Sequence, residues 1–348
     1  MPMQLTRIPT LINRLKRQLL SHVNLMRAVL VVLVLACIAL VWFVLSSPFY
    51  YIRSFSSMAL PSSGGRTNIL VLGVGGDGHE APDLTDTILF FSIRTRGTDP
   101  VLLSLPRDIW VPSLKAKINT AYYYGKKKQG PSGGLTLAKA AVSEIIDQPV
   151  HLAVVLDFGT FSKAIDLVGG IDLDIPRSFD DYKYPLPGKE NDLCAGDPEY
   201  LCRYEHVHFD AGQQHHDGNT ALKYVRSRNS ADPEEGTDFA RNRRQEQVIS
   251  AFKNRLLSRE IITHPAVYRE LYDLFLSESV TDITQGYYFA LAKLAFRARR
   301  QSLKTAALSE PDQLSHPPVS AVYGGQWVLI TKNNDSQIVT GFVSSLLK

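Results

Sequence analysis

The longest uninterrupted apolar stretch of the chain is Ala28 to Leu45, AVLVVLVLACIALVWFVL, 18 residues without a charge. At about 1.5 Å per residue it just crosses a hydrocarbon core of roughly 30 Å. A core helix would show a polar face, and this run has none. A cleaved leader is disfavoured too, because the segment before it is long and Ser46-Ser47-Pro48 is a poor cleavage site. Trp42 and Phe43 near its end, then Tyr50 and Tyr51, stand where an interfacial belt would. The pattern predicts one membrane helix over 28–46, after a tail over 1–27 and before a stalk over 47–66 that ends in PSSGGR.

From Thr67 the apolar spacing changes to that of an α/β domain. NILVLGV is a continuous apolar run suited to a buried strand. DTILFFSI and PVLLSL read as the next two strands, with RTRGTD as their turn. GGLTLAKAAVSEII has helical periodicity, HLAVVLDF is strand-like, GTFSKAIDLVG helical, and GIDLDIP a short alternating strand. Residues 178–216 form a long polar excursion, expected to be a surface insertion. FARNRRQEQVISAFKNRLLS predicts an amphipathic helix with Phe239, Val248, Phe252 and Leu256 on its apolar side. Beyond about residue 260 the stretches AVYRELYDLFLSES and YYFALAKLAFRARR are helical, and the last 40 residues are weakly patterned. The fold class is therefore α/β, a mixed central β-sheet flanked by helices. It is expected over 67–258, with 259–348 a C-terminal helical extension.

Charge fixes the orientation. Arg7, Arg14, Lys16, Arg17 and Arg27 precede the apolar run with no acid among them, and only Arg53 follows closely, which puts the N-terminus inside. Setting those five aside leaves 33 Lys and Arg against 34 Asp and Glu, so the net charge of +4 belongs to the tail. A nucleic-acid binder would show its basic surplus in the folded domain, and none is expected as a partner here. The location is the cytoplasmic membrane, with the folded domain outside. Cys37 lies in the apolar run, leaving Cys194 and Cys202 in DLCAGDPEYLC. In an oxidising compartment that spacing favours a disulfide; a thiolate metal site would need a second Cys/His pair at zinc spacing, which is missing.

No G-x-S-x-G, H-E-x-x-H or Walker loop is present, and GVGGDG lacks the spacing of a dinucleotide loop. What remains is a set of arginines and acids at element ends. Arg107 and Asp108 follow the strand LLSLP, at the carboxyl end where open α/β sheets place ligands. Asp86 opens a strand. Arg226 and Arg228 precede the loop NSADPEEG, and Arg241 and Gln245, four apart on one helix face, follow it. Guanidinium forks suit phosphate oxygens because they donate two parallel hydrogen bonds. On composition alone a solvated charged face is the better reading of RNRRQEQ.

The ordered set NILVLGV, TDTILFFSI, LLSLPRDIWV, KINTAYYYG, FSKAIDLVGGIDLDIP, ALKYVRSR and DFARNRRQEQVI resembles the LytR–CpsA–Psr family of membrane-anchored cell-wall glycopolymer ligases. The resemblance implies an α-β-α domain that binds a polyprenyl-pyrophosphate-linked glycan. It also implies Mg²⁺-dependent transfer of the glycan phosphate to a peptidoglycan hydroxyl. By motif it implies Asp86 as a Mg²⁺ carboxylate and Arg107, Lys139, Arg226, Arg228, Arg241 and Gln245 as pyrophosphate ligands. Arg107, Asp108, Asp238 and Arg241 are the catalytic set it suggests, with Asp108 or Asp238 as base. Two departures stand out. Leu84 occupies the place of an arginine common in the family, and Gly75 that of an aspartate, so the second metal carboxylate expected is the nearby Asp77. A binding module without catalysis and a polyprenyl-pyrophosphate hydrolase are the competing readings. A transcriptional regulator would need a basic reading element that the short tail lacks.

Overall fold

The computed structural model describes residues 59–76, 81–96, 99–189, 191–299 and 301–348. The expected tail, membrane helix and most of the stalk lie outside the described residues, as does Asp77. No helix among the described residues is long and apolar enough to cross a membrane. Backbone contacts set Gln285–Ala292 apart from the unit formed by Leu60–Thr284 and Lys293–Lys348, and it is this latter unit that carries the sheet.

In chain order the strands and helices begin with β1 (Arg66–Val74), β2 (Thr85–Arg94), β3 (Val101–Ser104), β4 (Trp110–Val111), β5 (Ala116–Lys117), α1 (Ala121–Ile146), β6 (Leu152–Asp157) and α2 (Phe158–Leu167). There follow β7 (Ile171–Ile175), β8 (Phe179–Pro185), β9 (Tyr204–Phe209), β10 (Gly212–His216), α3 (Gly218–Arg226), α4 (Asp238–Leu256), α5 (Arg259–Ile262) and α6 (Pro265–Glu278). The chain ends with β11 (Val280–Thr281), α7 (Gln285–Ala298), β12 (Lys304–Ala307), β13 (Leu314–Ser315), β14 (Ile330–Thr331) and α8 (Ser336–Leu346).

Among the described residues the central sheet runs β11-β6-β1-β2-β3-β12. β1 is parallel to β6 and antiparallel to β2, while β3 is antiparallel to β2 and parallel to β12. It is the mixed sheet expected. Leu70, Leu72, Ile88, Phe90 and Leu103 pack in one core with Ala138, Ala141, Val142 and Ile146 of α1 and Val339 and Val343 of α8. Each large side chain buried in this way contributes about 1.5–3 kcal/mol. A second core gathers Ile165, Ile171, Leu173, Phe179, Phe209, Tyr224 and Val248 from α2, β7, β8, β9, α3 and α4.

The helix predicted from GGLTLAKAAVSEII is the second half of α1. Gln129 and Gly130 leave helical geometry, and Pro131 starts the second segment, where its missing N–H costs nothing. The halves fold tightly: a Cβ on Gly125 would sit 2.3 Å from the Gly133 carbonyl oxygen, so no side chain fits there without a shift.

Two expectations need correction. The excursion over 178–216 is not merely a surface insertion, because β8 and β9 pair and bury Phe179, Asp181, Tyr184, Val207 and Phe209. The part around Cys194 and Cys202 is the exposed portion, with the two sulfurs at bonding distance, 1.99 Å. Nor does the fold stop at 258: β11 pairs with β6 and β12 with β3, so the C-terminal region covers both edges of the sheet. Open edges leave backbone groups unpaired, and strands of two and four residues are too short to reveal a period.

Candidate functional site

Because β1, β3 and β6 are parallel, their carboxyl ends lie along one side of the sheet, and β2 starts there. Val74 is paired with Asp157 of β6 and with Thr85 of β2. Asp86 follows Thr85, and the chain turns three residues after β3 to bring Arg107 back against it. Arg107 Nη1 donates to Asp86 Oδ1 at 2.5 Å, and Arg107 Nε lies 3.5 Å from Asp108 Oδ2. Lys117 Nζ holds the other Asp108 oxygen at 2.6 Å. Burial would lower the Arg107 pKa, but Asp86 and Asp108 outweigh it and hold it above its ordinary value. The result is a fixed, permanently charged fork, 28% exposed, at the end of the sheet.

Arg226 reaches the same side from α3. Its guanidinium lies 4.2 Å from the centre of the Phe158 ring, the residue after Asp157, and 5.5 Å from that of Tyr184. Tyr184 Oη accepts from it at 3.3 Å. Arg228 is positioned through its backbone. The fully buried Asp181 carboxylate accepts from the amides of Arg228 at 3.1 Å, Asn229 at 3.3 Å and Lys183 at 3.0 Å.

The second basic cluster divides its labour. Arg244, 1% exposed, donates to Glu235 Oε2 at 2.7 Å, to the Glu235 carbonyl at 3.1 Å and to the Ser227 carbonyl at 2.5 Å. Arg243 pairs with the other Glu235 oxygen. This clip folds the 227–235 loop onto the first turns of α4, whose start is capped by the Thr237 hydroxyl accepting from the Ala240 amide at 3.1 Å. Arg241 and Gln245 stay half-buried one turn apart on that helix. Asp238 is the first residue of α4, and its side chain lies outside the described set.

Lys139 is not brought to the Arg107–Asp86 pair. Its ammonium pairs with Asp282, whose other oxygen accepts from the Ala153 amide at 2.7 Å. Ala153 is four residues before Asp157 on β6, a separation of about 13 Å along the strand. Leu84, where a guanidinium was absent from the motif, is half-buried beside the Asp83–Lys126 ion pair.

Three residues at or near this edge escaped the sequence reading. Asn119 donates its amide to the Arg107 carbonyl at 3.2 Å and accepts on its own carbonyl from Thr85 Oγ1 at 3.2 Å. Its buried Oδ1 has no hydrogen-bond partner among the described residues. It sits in KINTAYYYG, so the motif held the signal. Asp157 caps α2, accepting from the Thr160 amide at 2.6 Å, and a Cβ on Gly76 would come within 2.8 Å of it. The anchor Asp181 had no periodic signature. For a hard ion such as Mg²⁺ the donor set fits in kind: Asp86 offers a carboxylate that is 40% exposed, and Asn119 an unsatisfied amide oxygen close by in the chain network.

A family model described as the LytR_cpsA_psr family matches residues 52–337. Among curated relatives, the polyisoprenyl-teichoic acid–peptidoglycan teichoic acid transferase TagU of Oceanobacillus iheyensis is 31% identical over 221 residues, 62% of this chain and 58% of that protein. The transferase TagV of Bacillus subtilis is 28% identical over 180 residues, 50% of this chain and 39% of that protein. The matched part thus spans less than two thirds of either relative. Among solved structures, B. subtilis TagV superposes with a TM-score of 0.53 at 22% identity, covering 82% of this chain and 98% of that one. An Enterococcus faecalis protein described as a transcriptional regulator gives 0.57 at 21%, covering 81% and 87%. Both share the fold. With the motifs, the sheet and the matched span in agreement, the chain belongs to the LytR–CpsA–Psr family.

Proposed function

We propose that the protein transfers a glycan phosphate from a polyprenyl-pyrophosphate carrier to a peptidoglycan hydroxyl, outside the cytoplasmic membrane and anchored by a helix over 28–46. The observation that carries this is the charged fork of Arg107, braced by Asp86 and Asp108 at the carboxyl end of β3, with Arg226 stacked on Phe158 along the same edge. The transferase names of the TagU and TagV relatives support it.

Arg107, Arg226, Arg228, Arg241 and Gln245 bind the pyrophosphate oxygens, and Lys139 follows only if it leaves Asp282. Asp86, with Asp77, would hold Mg²⁺, which would supply neutralisation of phosphate charge. The acceptor oxygen forms a bond to the phosphorus nearest the sugar, the bridging P–O bond breaks, and polyprenyl phosphate departs. The hydroxyl proton passes to a carboxylate, Asp108 or Asp238. Such chemistry depends on in-line positioning and preorganised charge rather than on a covalent nucleophile. To act as that base Asp108 would first have to release Lys117 and Arg107, which occupy both of its oxygens.

The test uses the full chain in detergent with Mg²⁺, a polyprenyl-pyrophosphate oligosaccharide and peptidoglycan fragments. Coupled glycan is expected, and Arg107→Ala should lower the rate about 10²–10³-fold, the loss of roughly 3–4 kcal/mol of transition-state stabilisation. Tight lipid binding without product would make this a binding module. Sugar phosphate released to water without coupling would make it a hydrolase. Absence of lipid binding would return the arginines to a solvated face.

A further inference from the structure

The strands β13 and β14 close a long hairpin loop. Leu314 pairs with Thr331 and Ser315 with Ile330, leaving residues 316–329 as the connection. From Gln313 to Thr331 the sequence is QLSHPPVSAVYGGQWVLIT, 19 residues without Lys, Arg, Asp or Glu in a chain that is 21% charged. The ends of the loop are anchored, with Leu314, Val328 and Leu329 buried. Leu329 lies against the arginine edge: its amide donates to the Asp108 carbonyl at 3.0 Å, and its carbonyl accepts from the Trp110 amide at 2.8 Å. Between those ends Val319, Val322 and Trp327 stand out into solvent, at 58%, 75% and 44% exposure. Apolar surface gathered in this way next to a site marks a place where something binds.

The rings are held in place. The His316 ring stacks on the Trp327 indole, with centroids 4.9 Å and planes 28° apart, and His316 Nδ1 lies 3.2 Å from the Val328 carbonyl oxygen. Half-buried Trp110, three residues beyond Arg107, meets Tyr323 edge to face at 5.4 Å. Between Tyr323 and Trp327, Gly324 and Gly325 take φ of 60° and 69°, and a Cβ on either would meet nothing within 4 Å among the described residues. Two aromatic pairs are thus joined by bare backbone into a shelf, with Gln326 exposed beside them.

A pyranose ring offers C–H groups on its faces and hydroxyl or acetamido groups at its rim. The C–H groups carry partial positive charge and settle on the negative face of an indole, while a neutral side-chain amide donates and accepts at the rim. A phosphate-bearing polymer would instead seek guanidinium or ammonium groups, and residues 313–331 contain none. Trp327 is two residues from Leu329, at most about 7 Å along the chain, so the shelf is continuous with the edge that carries Arg107 and Asp108.

We propose that Trp327, with Gln326 and the Trp110–Tyr323 pair, forms a saccharide subsite that seats uncharged N-acetylhexosamine rings of the peptidoglycan acceptor. Its assignment to the acceptor rests on the transferase reading; saccharide binding by the shelf does not.

The full chain, in a detergent without a sugar headgroup, is titrated calorimetrically with a soluble chitin oligosaccharide in the absence of lipid-linked donor. Binding is expected, weakened about tenfold or more by Trp327→Ala and less by Trp327→Phe, which keeps a ring. Unchanged circular dichroism of both variants shows that folding is intact. Arg107→Ala should bind the oligosaccharide as the wild type does, so failure of the transferase reading leaves this arm standing. In transfer assays Trp327→Ala should raise the KM for peptidoglycan fragments about tenfold and leave that for the lipid-linked donor unchanged. A further readout leaves the loop intact: in the Trp42→Phe/Trp110→Phe chain Trp327 is the sole tryptophan, and its emission should shift to the blue as the oligosaccharide binds. Absence of saccharide binding, binding indifferent to Trp327→Ala, or a rise confined to the donor KM overturns the proposal. Quenching of that tryptophan by brominated phospholipid in reconstituted vesicles would overturn it too, by making the loop a membrane contact.

Discussion

Arg244→Met tests whether the basic helix is held by a buried ion pair rather than displayed to solvent. Arg244 and Glu235 are 1% and 3% exposed, and the guanidinium serves one carboxylate and two backbone carbonyls. Methionine fills much of the space of the side-chain stem between Phe179 and Tyr224, so packing is largely kept. What is lost is the partner of a buried carboxylate, and Ser227 loses an N–H donor to its carbonyl. Removing one member of a buried pair costs about 3–5 kcal/mol, because the remaining charge is uncompensated. For a unit of this size each kcal/mol corresponds to about 2–4 °C, so the melting temperature should fall by roughly 10 °C. Arg243 remains against Glu235 and keeps the loss toward the lower end of that range. Adding Glu235→Gln removes the orphaned charge and should recover part of the loss, a coupling read from the double-mutant cycle. Thermal melts followed by circular dichroism give all three values. A single variant melting within about 2 °C of the wild type would refute the argument, as would a double variant no better than the single.

Two further outcomes follow from the same structure. His216 is 2% exposed and neither ring nitrogen has a hydrogen-bond partner among the described residues, so burial holds its pKa below the ordinary value of 6.5. The unfolded chain then takes up the proton that the folded one refuses; the contribution is fully present above about pH 6.5 and is lost as the pH falls, at up to about 1.4 kcal/mol per pH unit. His216→Phe should melt with a smaller loss between pH 7.5 and 5.5 than the wild type, and equal losses would contradict the assignment. Gly218→Ala should destabilise by about 1–3 kcal/mol, because its Cβ would lie 2.0 Å from the Ser162 carbonyl oxygen of α2 and the helices must part; denaturant midpoints would show it, and an unchanged midpoint would mean that the contact yields freely.

Much of the edge that carries the arginines was legible in the chain. The runs NILVLGV, DTILFFSI and HLAVVLDF are apolar enough to be buried strands, and their order places Asp86, Arg107 and the residue after β6 at element ends. Lys139 shows where such reading stops. Its position on the helix TLAKAAV is a matter of local periodicity, but its partner Asp282 is 143 residues away, on a loop whose strand is too short to see. The arginines of RNRRQ illustrate the same limit. Arg241, Arg243 and Arg244 are alike in sequence, yet only Arg244 is swallowed by the second core, where Phe179 and Tyr224 receive its guanidinium.

Hydrophobic periodicity and motif order by themselves determined the α/β class, the strands of the sheet centre, the main helices and the clustering of guanidinium groups, because these follow from local spacing along the chain. Tertiary structure decided which arginine is structural, that the C-terminal strands β11 and β12 close the sheet edges, and that His206, His208 and Asp180 converge on the outer face of a hairpin. Those outcomes depend on contacts between residues far apart in sequence, where pairing register and burial, rather than periodicity, set the partner of each side chain.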